Sequence, residues 1–137
     1  MKKAAIIILG LILIAGCGGD PGEKTSKKNA KIEFNKNTHD FGELAFASDG
    51  SCEFIFKNTG KSPLVLNNVK STCGCTIPEW PREPVGENES ASIRVRYDTH
   101  RVGSFTKSIT VYSNASNSPK RLFIKGRVKA KEEITND

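Results

Sequence analysis

Cys73 and Cys75, one glycine apart in the stretch STCGCTIPEW (residues 71 to 80), are the residues whose type and spacing most readily do chemistry. Two thiolates at this spacing can hold Cu(I) linearly, and an added histidine, His39 or His100, would make a zinc site. A lone histidine is more often solvated or bonded to backbone than a ligand, so no metal site and no cofactor is assigned. The same thiols could be a redox pair: a bridge between residues two apart closes a tight ring, and strain makes such a bridge labile. The pattern is not C-x-x-C, and no helix follows whose N-terminus would stabilise a thiolate. Half of a structural disulfide is the third reading. The other cysteines are Cys17 and Cys52.

The compartment decides what these thiols can do. The chain opens MKKAAIIILGLILIAGCGGD, with Lys2 and Lys3 ahead of a thirteen-residue, almost wholly apolar run from Ala4 to Gly16. A spanning helix needs about 20 apolar residues, so the run reads as the core of an export signal. It ends in Ile14-Ala15-Gly16-Cys17, which resembles the bacterial lipobox, with Ile14 where leucine is commonest. The resemblance implies cleavage after Gly16 and a lipid on Cys17; an ordinary secretory signal with an incidental cysteine is the alternative. Acyl chains contribute about 0.8 kcal/mol per buried methylene, so two or three hold a small domain on a bilayer. Gly18 stands where an aspartate is associated with inner-membrane retention, which points to the outer membrane.

Residues 1 to 16 carry two lysines and no acid, so their removal lowers the formal charge from +6 to +4. The remaining basic residues are scattered without interleaved aromatics, and with export this argues against nucleic acid as a partner. Residues 17 to 30 (CGGDPGEKTSKKNA) form a polar tether too poor in apolar groups to fold. A polar tail follows from residue 129, leaving residues 31 to 128 for one domain.

Two-residue periodicity dominates that domain. Cys52, Phe54 and Phe56 share a face opposite Glu53, Ile55 and Lys57; Ile93, Val95 and Tyr97 oppose Arg94 and Arg96; Ile109 and Val111, then Leu122 and Ile124, alternate likewise with polar residues. Shorter strands are expected at 32 to 34, 41 to 46 and 64 to 69, separated by turns at Asp49-Gly50, Asn58-Thr59-Gly60, Val85-Gly86 and Asn114 to Pro119. About seven short strands without a 3.6-residue period predict an all-β, antiparallel immunoglobulin-like sandwich. Its core would hold Phe54, Phe56, Leu64, Leu66, Ile93, Val95, Ile109, Val111, Leu122 and Ile124. Lys31, Lys36 and Lys120 would guard the sheet edges against strand pairing.

The succession HDFGEL, FKNTGKSPLVLNNVKSTCGCT, GENESASIRVRYDT, GSFTKSITVYSN and LFIKGRV closely resembles the bacterial domain-of-unknown-function family fifteen-seventy-three over residues 31 to 128. Its marks are Asp40-Phe41-Gly42, Asn58-Thr59-Gly60, Cys73-Gly74-Cys75 and Gly103. The resemblance implies an exported, often lipid-anchored, immunoglobulin-like domain distantly similar to Hydin and sperm-protein domains, with no established activity. Cys52 departs from that pattern, in which a small or apolar residue fills the position.

With Cys17 lipidated, three thiols remain in an oxidising compartment, an odd number. Folding the chain back about Gly60 brings Cys52 toward the end where Cys73 and Cys75 lie, so Cys52 is expected to bridge one of them. Such a bridge would close some twenty residues and contribute about 3 kcal/mol. Trp80, between Pro78 and Pro81, is expected to cover one end of the core rather than to stand as an exposed anchor. Glu79, Glu83, Glu87 and Glu89 read as a solvated loop, and the sequons at Asn88 and Asn114 carry little weight beside a bacterial-type lipobox. No catalytic motif is present. The leading expectation is a non-enzymatic envelope module, held to the membrane through Cys17, that binds an envelope protein or glycan or serves as a structural accessory. The alternative is a thiol redox or copper/zinc-handling protein using the Cys-Gly-Cys motif, and a third reading is a strand-accepting chaperone or adhesin-like domain.

Overall fold

Period-two alternation becomes eight strands in the computed structural model, which describes residues 29–131. They are β1 (Ile32–Phe34), β2 (Thr38–Leu44), β3 (Ser51–Asn58), β4 (Leu66–Ser71), β5 (Thr76–Glu79), β6 (Ser90–Tyr97), β7 (Gly103–Ser113) and β8 (Lys120–Val128). The export signal, Cys17, the tether to residue 28 and the tail from residue 132 lie outside the described residues. Asn29 and Ala30, expected to end the tether, belong to the fold. Ala30 is buried, its carbonyl accepts from Ser116 N–H, and Asn29 accepts from Lys61 N–H.

One sheet has the order β1-β3-β6-β5 and the other β2-β8-β7-β4. If β2 is taken as a continuation of β1 that has changed sheets, this is the ABED-against-CFG arrangement of immunoglobulin constant domains. The crossing at residues 35–37 also explains the one departure from the expected antiparallel pairing. The chain keeps its direction as it passes to the second sheet, so β2 lies parallel to β8 while the other five pairings are antiparallel.

All ten expected core residues are buried, together with Ile32, Val69, Val85, Tyr97, Phe105 and Val128. Two expectations fail locally. β5 is an eighth strand where an irregular loop was expected. It contains Pro78, which a strand tolerates here because β5 lies at a sheet edge. The lysine guards also do not hold as a set. Lys120 is on β8, an interior strand, and Lys36 turns toward His39, its Nζ 2.8 Å from His39 Nδ1. Lys31 does precede edge strand β1, paired with Glu33 at 3.2 Å.

The Asp40-Phe41-Gly42 mark has a physical reason. The β2–β8 register shifts between Asp40 and Glu43, and Gly42 takes φ +63° there, a conformation that suits glycine. Asp40 Oδ1 accepts from Gly42 N–H at 2.8 Å, and this bond first, then Lys125, holds its carboxyl below the usual aspartate range.

Candidate functional site

β4 ends in one sheet and β5 begins in the other, so Cys73-Gly74-Cys75 is the corner by which the chain crosses between layers. The corner is hydrogen-bonded throughout. Thr72 N–H donates to Ser108 O at 3.1 Å, Thr76 N–H to Cys73 O at 3.4 Å and Asp98 N–H to Cys75 O at 2.8 Å. Ser71 Oγ lies 2.7 Å from Cys73 O and 2.8 Å from Thr76 O, its single proton serving both carbonyls. Cys73 and Cys75 are joined by a disulfide, with Cα atoms 5.3 Å apart.

The expected bridge from Cys52 is therefore absent, and Cys52 is a free, buried thiol. The expectation treated Gly60 as a hairpin that would lay β3 beside β4, but those strands belong to different sheets. Cys52 is opposite Val95 of β6, whose other edge carries β5. Across one sheet, Cys52 and Pro78 of β5 are thus two strand spacings apart, about 9.6 Å, and Cys75 lies a further three residues back along the chain, beyond disulfide reach. The bond that forms closes only three residues, and the chain-entropy relation assigns it about 1.5 kcal/mol, half of what the expected bridge would contribute.

Burial pushes the Cys52 thiol up to about 11 from its ordinary 9.0, against a smaller opposing effect of Lys36. A shift of that size lowers the thiolate population about 100-fold at any pH well below it. Cys52 in the folded chain is accordingly expected to react with iodoacetamide at pH 8 at least about 100-fold more slowly than in urea. A native rate within a few fold of the unfolded rate, followed by mass spectrometry, would contradict this burial.

Beside the corner is a cleft of about 340 Å³, bounded by the turn Ala47–Gly50, by Gly74, Cys75 and Ile77, and by β6 from Arg96 into the turn at Asp98–His100. Its lining mixes character: Ile77 is 52% exposed, while Asp49, Arg96, Asp98 and His100 bring charge. Asp98 Oδ1 accepts from His100 N–H at 3.1 Å and lies 3.0 Å from His100 Nδ1; these contacts, the backbone one first, hold its carboxyl below the usual range. Sequence reading noted His100 and the Asp49-Gly50 turn separately and missed Arg96 and Asp98. The available signal was that sandwich loops gather at two ends.

The cleft is at the end of the sandwich opposite the one where Ala30 enters. Lys31 follows Ala30 beside the Asn58–Lys61 turn, whereas β3 begins at Ser51 next to the cleft. The eight residues of β3 separate the two ends by about 24 Å.

The other singled-out residues serve the fold. His39 is on β2 rather than in a turn, and its ring meets Phe41 edge-on at 4.5 Å. Among the described residues no three His, Cys, Asp or Glu side chains gather where they could hold a metal ion. Trp80 packs against the core, as expected, with the Arg82 guanidinium 4.0 Å above its ring. Glu89 accepts from Gly86 N–H at 2.8 Å, closing the turn before β6. Asn114, in a sequon, pins Val65 N–H and Pro63 O at 2.9 Å each.

The family model "Protein of unknown function (DUF1573)" matches residues 32–128, nearly the whole sandwich and both sides of the Cys73-Gly74-Cys75 corner. The chain belongs to the DUF1573 family. No curated protein matches this DUF1573 chain. Among solved structures, a protein of unknown function from Porphyromonas gingivalis aligns with TM-score 0.64 at 18% identity, over 72% of this chain and 46% of that one. The chain thus spans about half the length of that relative. The human CEP192 PapD-like domain aligns with TM-score 0.63 at 9% identity, over 96% and 99%. The Pseudomonas aeruginosa CupB2 chaperone follows with 0.52 at 13%, over 70% and 55%. At these identities the likeness is one of fold, a PapD-like or immunoglobulin-like sandwich, and function has to be argued from the site.

Proposed function

We propose that this DUF1573 chain is an exported, non-enzymatic module of the bacterial cell envelope, anchored in the outer membrane by lipid on Cys17, that binds another envelope protein at its cleft end. The observation that carries the reading is the placement of the two ends: the segment continuous with the tether enters at one, and the cleft opens at the other. A chain held by Cys17 would present the cleft away from the bilayer. The mixed lining, with exposed Ile77 beside Arg96 and Asp98, suits a protein segment, since protein interfaces combine an apolar centre with polar and charged groups around it. Support for a non-enzymatic role comes from the same lining. Ser48 Oγ is committed to Ala45 O, Thr99 Oγ1 to Ser48 O and His100 Nδ1 to Asp98, so no hydroxyl is paired with the histidine as an activated nucleophile.

The test places a photo-crosslinking residue at Ile77 or, as a control on the outer face of the other sheet, at Thr38, in full-length chain within its own envelope. Crosslinks to a discrete protein are expected from position 77 at least about fivefold above position 38, the bound segment being confined to one end. Cys17→Ser should release the chain from the membrane fraction or leave it uncleaved, and abolish the crosslink. Equal yields from both positions, or normal processing and fractionation of Cys17→Ser, would refute the reading; a carbohydrate adduct at position 77 would replace protein with glycan.

A further inference from the structure

Beyond binding, we infer that the Cys73–Cys75 disulfide is a two-electron exchange site for the dithiol of a partner protein, with Cys73 as the sulfur attacked. Three observations carry this. The corner has ties other than the bond, which spans only two residues: Thr72, Ser71, Thr76 and Asp98 hold the same segment to β7, β5 and the turn after β6. A disulfide that can open without unfolding its surroundings meets the first requirement of a redox site.

Access is the second observation. Cys75 is buried, Cys73 only half-buried. Between them, an added Cβ at Gly74 would meet nothing within 4 Å, and Gly74 is not among the residues with positive φ. Neither crowding nor backbone conformation requires glycine there, in contrast to Gly42. The space beside Gly74 is open apart from its two bonded neighbours, so nothing else in the fold crowds the corner. The adjoining cleft is walled by Gly74, Cys75 and Ile77 but not by Cys73, so it would seat the segment bearing the incoming thiol beside the attacked sulfur.

The third is Thr76, whose hydroxyl is 4.0 Å from Cys73 Sγ and 3.9 Å from Cys75 Sγ. It is placed to donate to whichever sulfur leaves. Cys52, on the far side of β6, is not a resolving thiol.

A partner thiolate attacks Cys73 Sγ, forming a mixed disulfide; the Cys73–Cys75 bond breaks, and its electron pair leaves on Cys75 Sγ, which takes a proton. The partner's second thiol, deprotonated, then attacks its own sulfur in the mixed disulfide, and Cys73 Sγ departs with the electron pair and is protonated. Net, the partner dithiol is oxidised to a disulfide and Cys73 and Cys75 become thiols.

The test uses purified full-length chain with reduced and oxidised glutathione as the probe, acid quenching, alkylation and mass spectrometry, with circular dichroism on each sample. The pair is expected to become dithiol in about 10 mM reduced glutathione while the sandwich stays folded and Cys52 unmodified. Cys75→Ser should leave Cys73 forming a glutathione mixed disulfide at least about tenfold faster than Cys75 does in Cys73→Ser. The inference is overturned if the pair stays oxidised until urea unfolds the chain, if reduction itself melts the sandwich, or if Cys73 in Cys75→Ser reacts no faster than Cys75 in Cys73→Ser. None of these results bears on the crosslinking at position 77.

Discussion

Phe54→Ala is expected to cost the sandwich about 3 to 5 kcal/mol, read as a lower urea midpoint by circular dichroism. Phe54 is 0% exposed on β3, an interior strand, where it is opposite Ile93 of β6 and near Phe56 and Cys52 on the same face. Truncation removes the transfer energy of the ring and leaves a void that flanking strands cannot collapse into without breaking their ladders. A domain of this size has roughly 5 to 15 kcal/mol in total, so the variant would sit at the margin of folding. The contrast is Ile55→Ala, one residue on, 47% exposed on the outer face and expected to change stability by only about 0.5 kcal/mol. Similar losses at both positions would contradict the parity of β3, and with it the assignment of the inner face.

That parity was legible because a sheet with one wet face writes itself into alternate residues. The pattern at β3, β6, β7 and β8 located the core, and the DUF1573 marks located two of the turns. What was not legible depends on which strands are neighbours. Alternation says that Cys52 points inward; it does not say that β6 stands between Cys52 and β5, and so the pairing of three cysteines went to the wrong two. β5 was hidden for a related reason, since a proline argues against a strand unless the strand is known to lie at an edge. The cleft residues Arg96 and Asp98 are ordinary surface charges in sequence and become a site only because three loops converge at one end.

Asn58→Ala is expected to cost about 3 to 4 kcal/mol, as much as losing a core ring, although sequence reading sees Asn58 only as the start of a turn. Its side chain is fully buried at the end of β3. Nδ2 donates to Ser62 O at 2.8 Å and to Val85 O at 2.9 Å, while Oδ1 accepts from Gly60 N–H at 3.0 Å and Lys31 N–H at 3.4 Å. One amide thus joins the entry of the chain, the turn after β3 and the Leu64–Val85 bridge. Alanine would leave the buried N–H of Gly60 without its acceptor, worth about 1 to 3 kcal/mol, open a void at a fully buried position, and take one donor each from Ser62 O and from Val85 O, which keeps its bond from Leu64 N–H. The same packing accounts for Gly60, where a Cβ would lie 2.5 Å from Lys31 N and closer still to Asn29 O, backbone that cannot move aside. Asn58→Asp separates hydrogen bonding from shape. It keeps the acceptor, loses both donors and buries a charge, so burial should raise its folded pKa above the unfolded aspartate value of about 3.9. Protons then bind the folded state more tightly, and the variant should be least stable at neutral pH, recovering part of its loss as pH falls through the raised folded pKa, where a protonated carboxyl can donate once. Urea midpoints of parent, Asn58→Ala and Asn58→Asp at pH 4 and pH 7 measure this. An alanine loss below about 1 kcal/mol, or an Asp variant no better relative to parent at pH 4 than at pH 7, would show that the amide is not the tie between the tether end of the sandwich and its core.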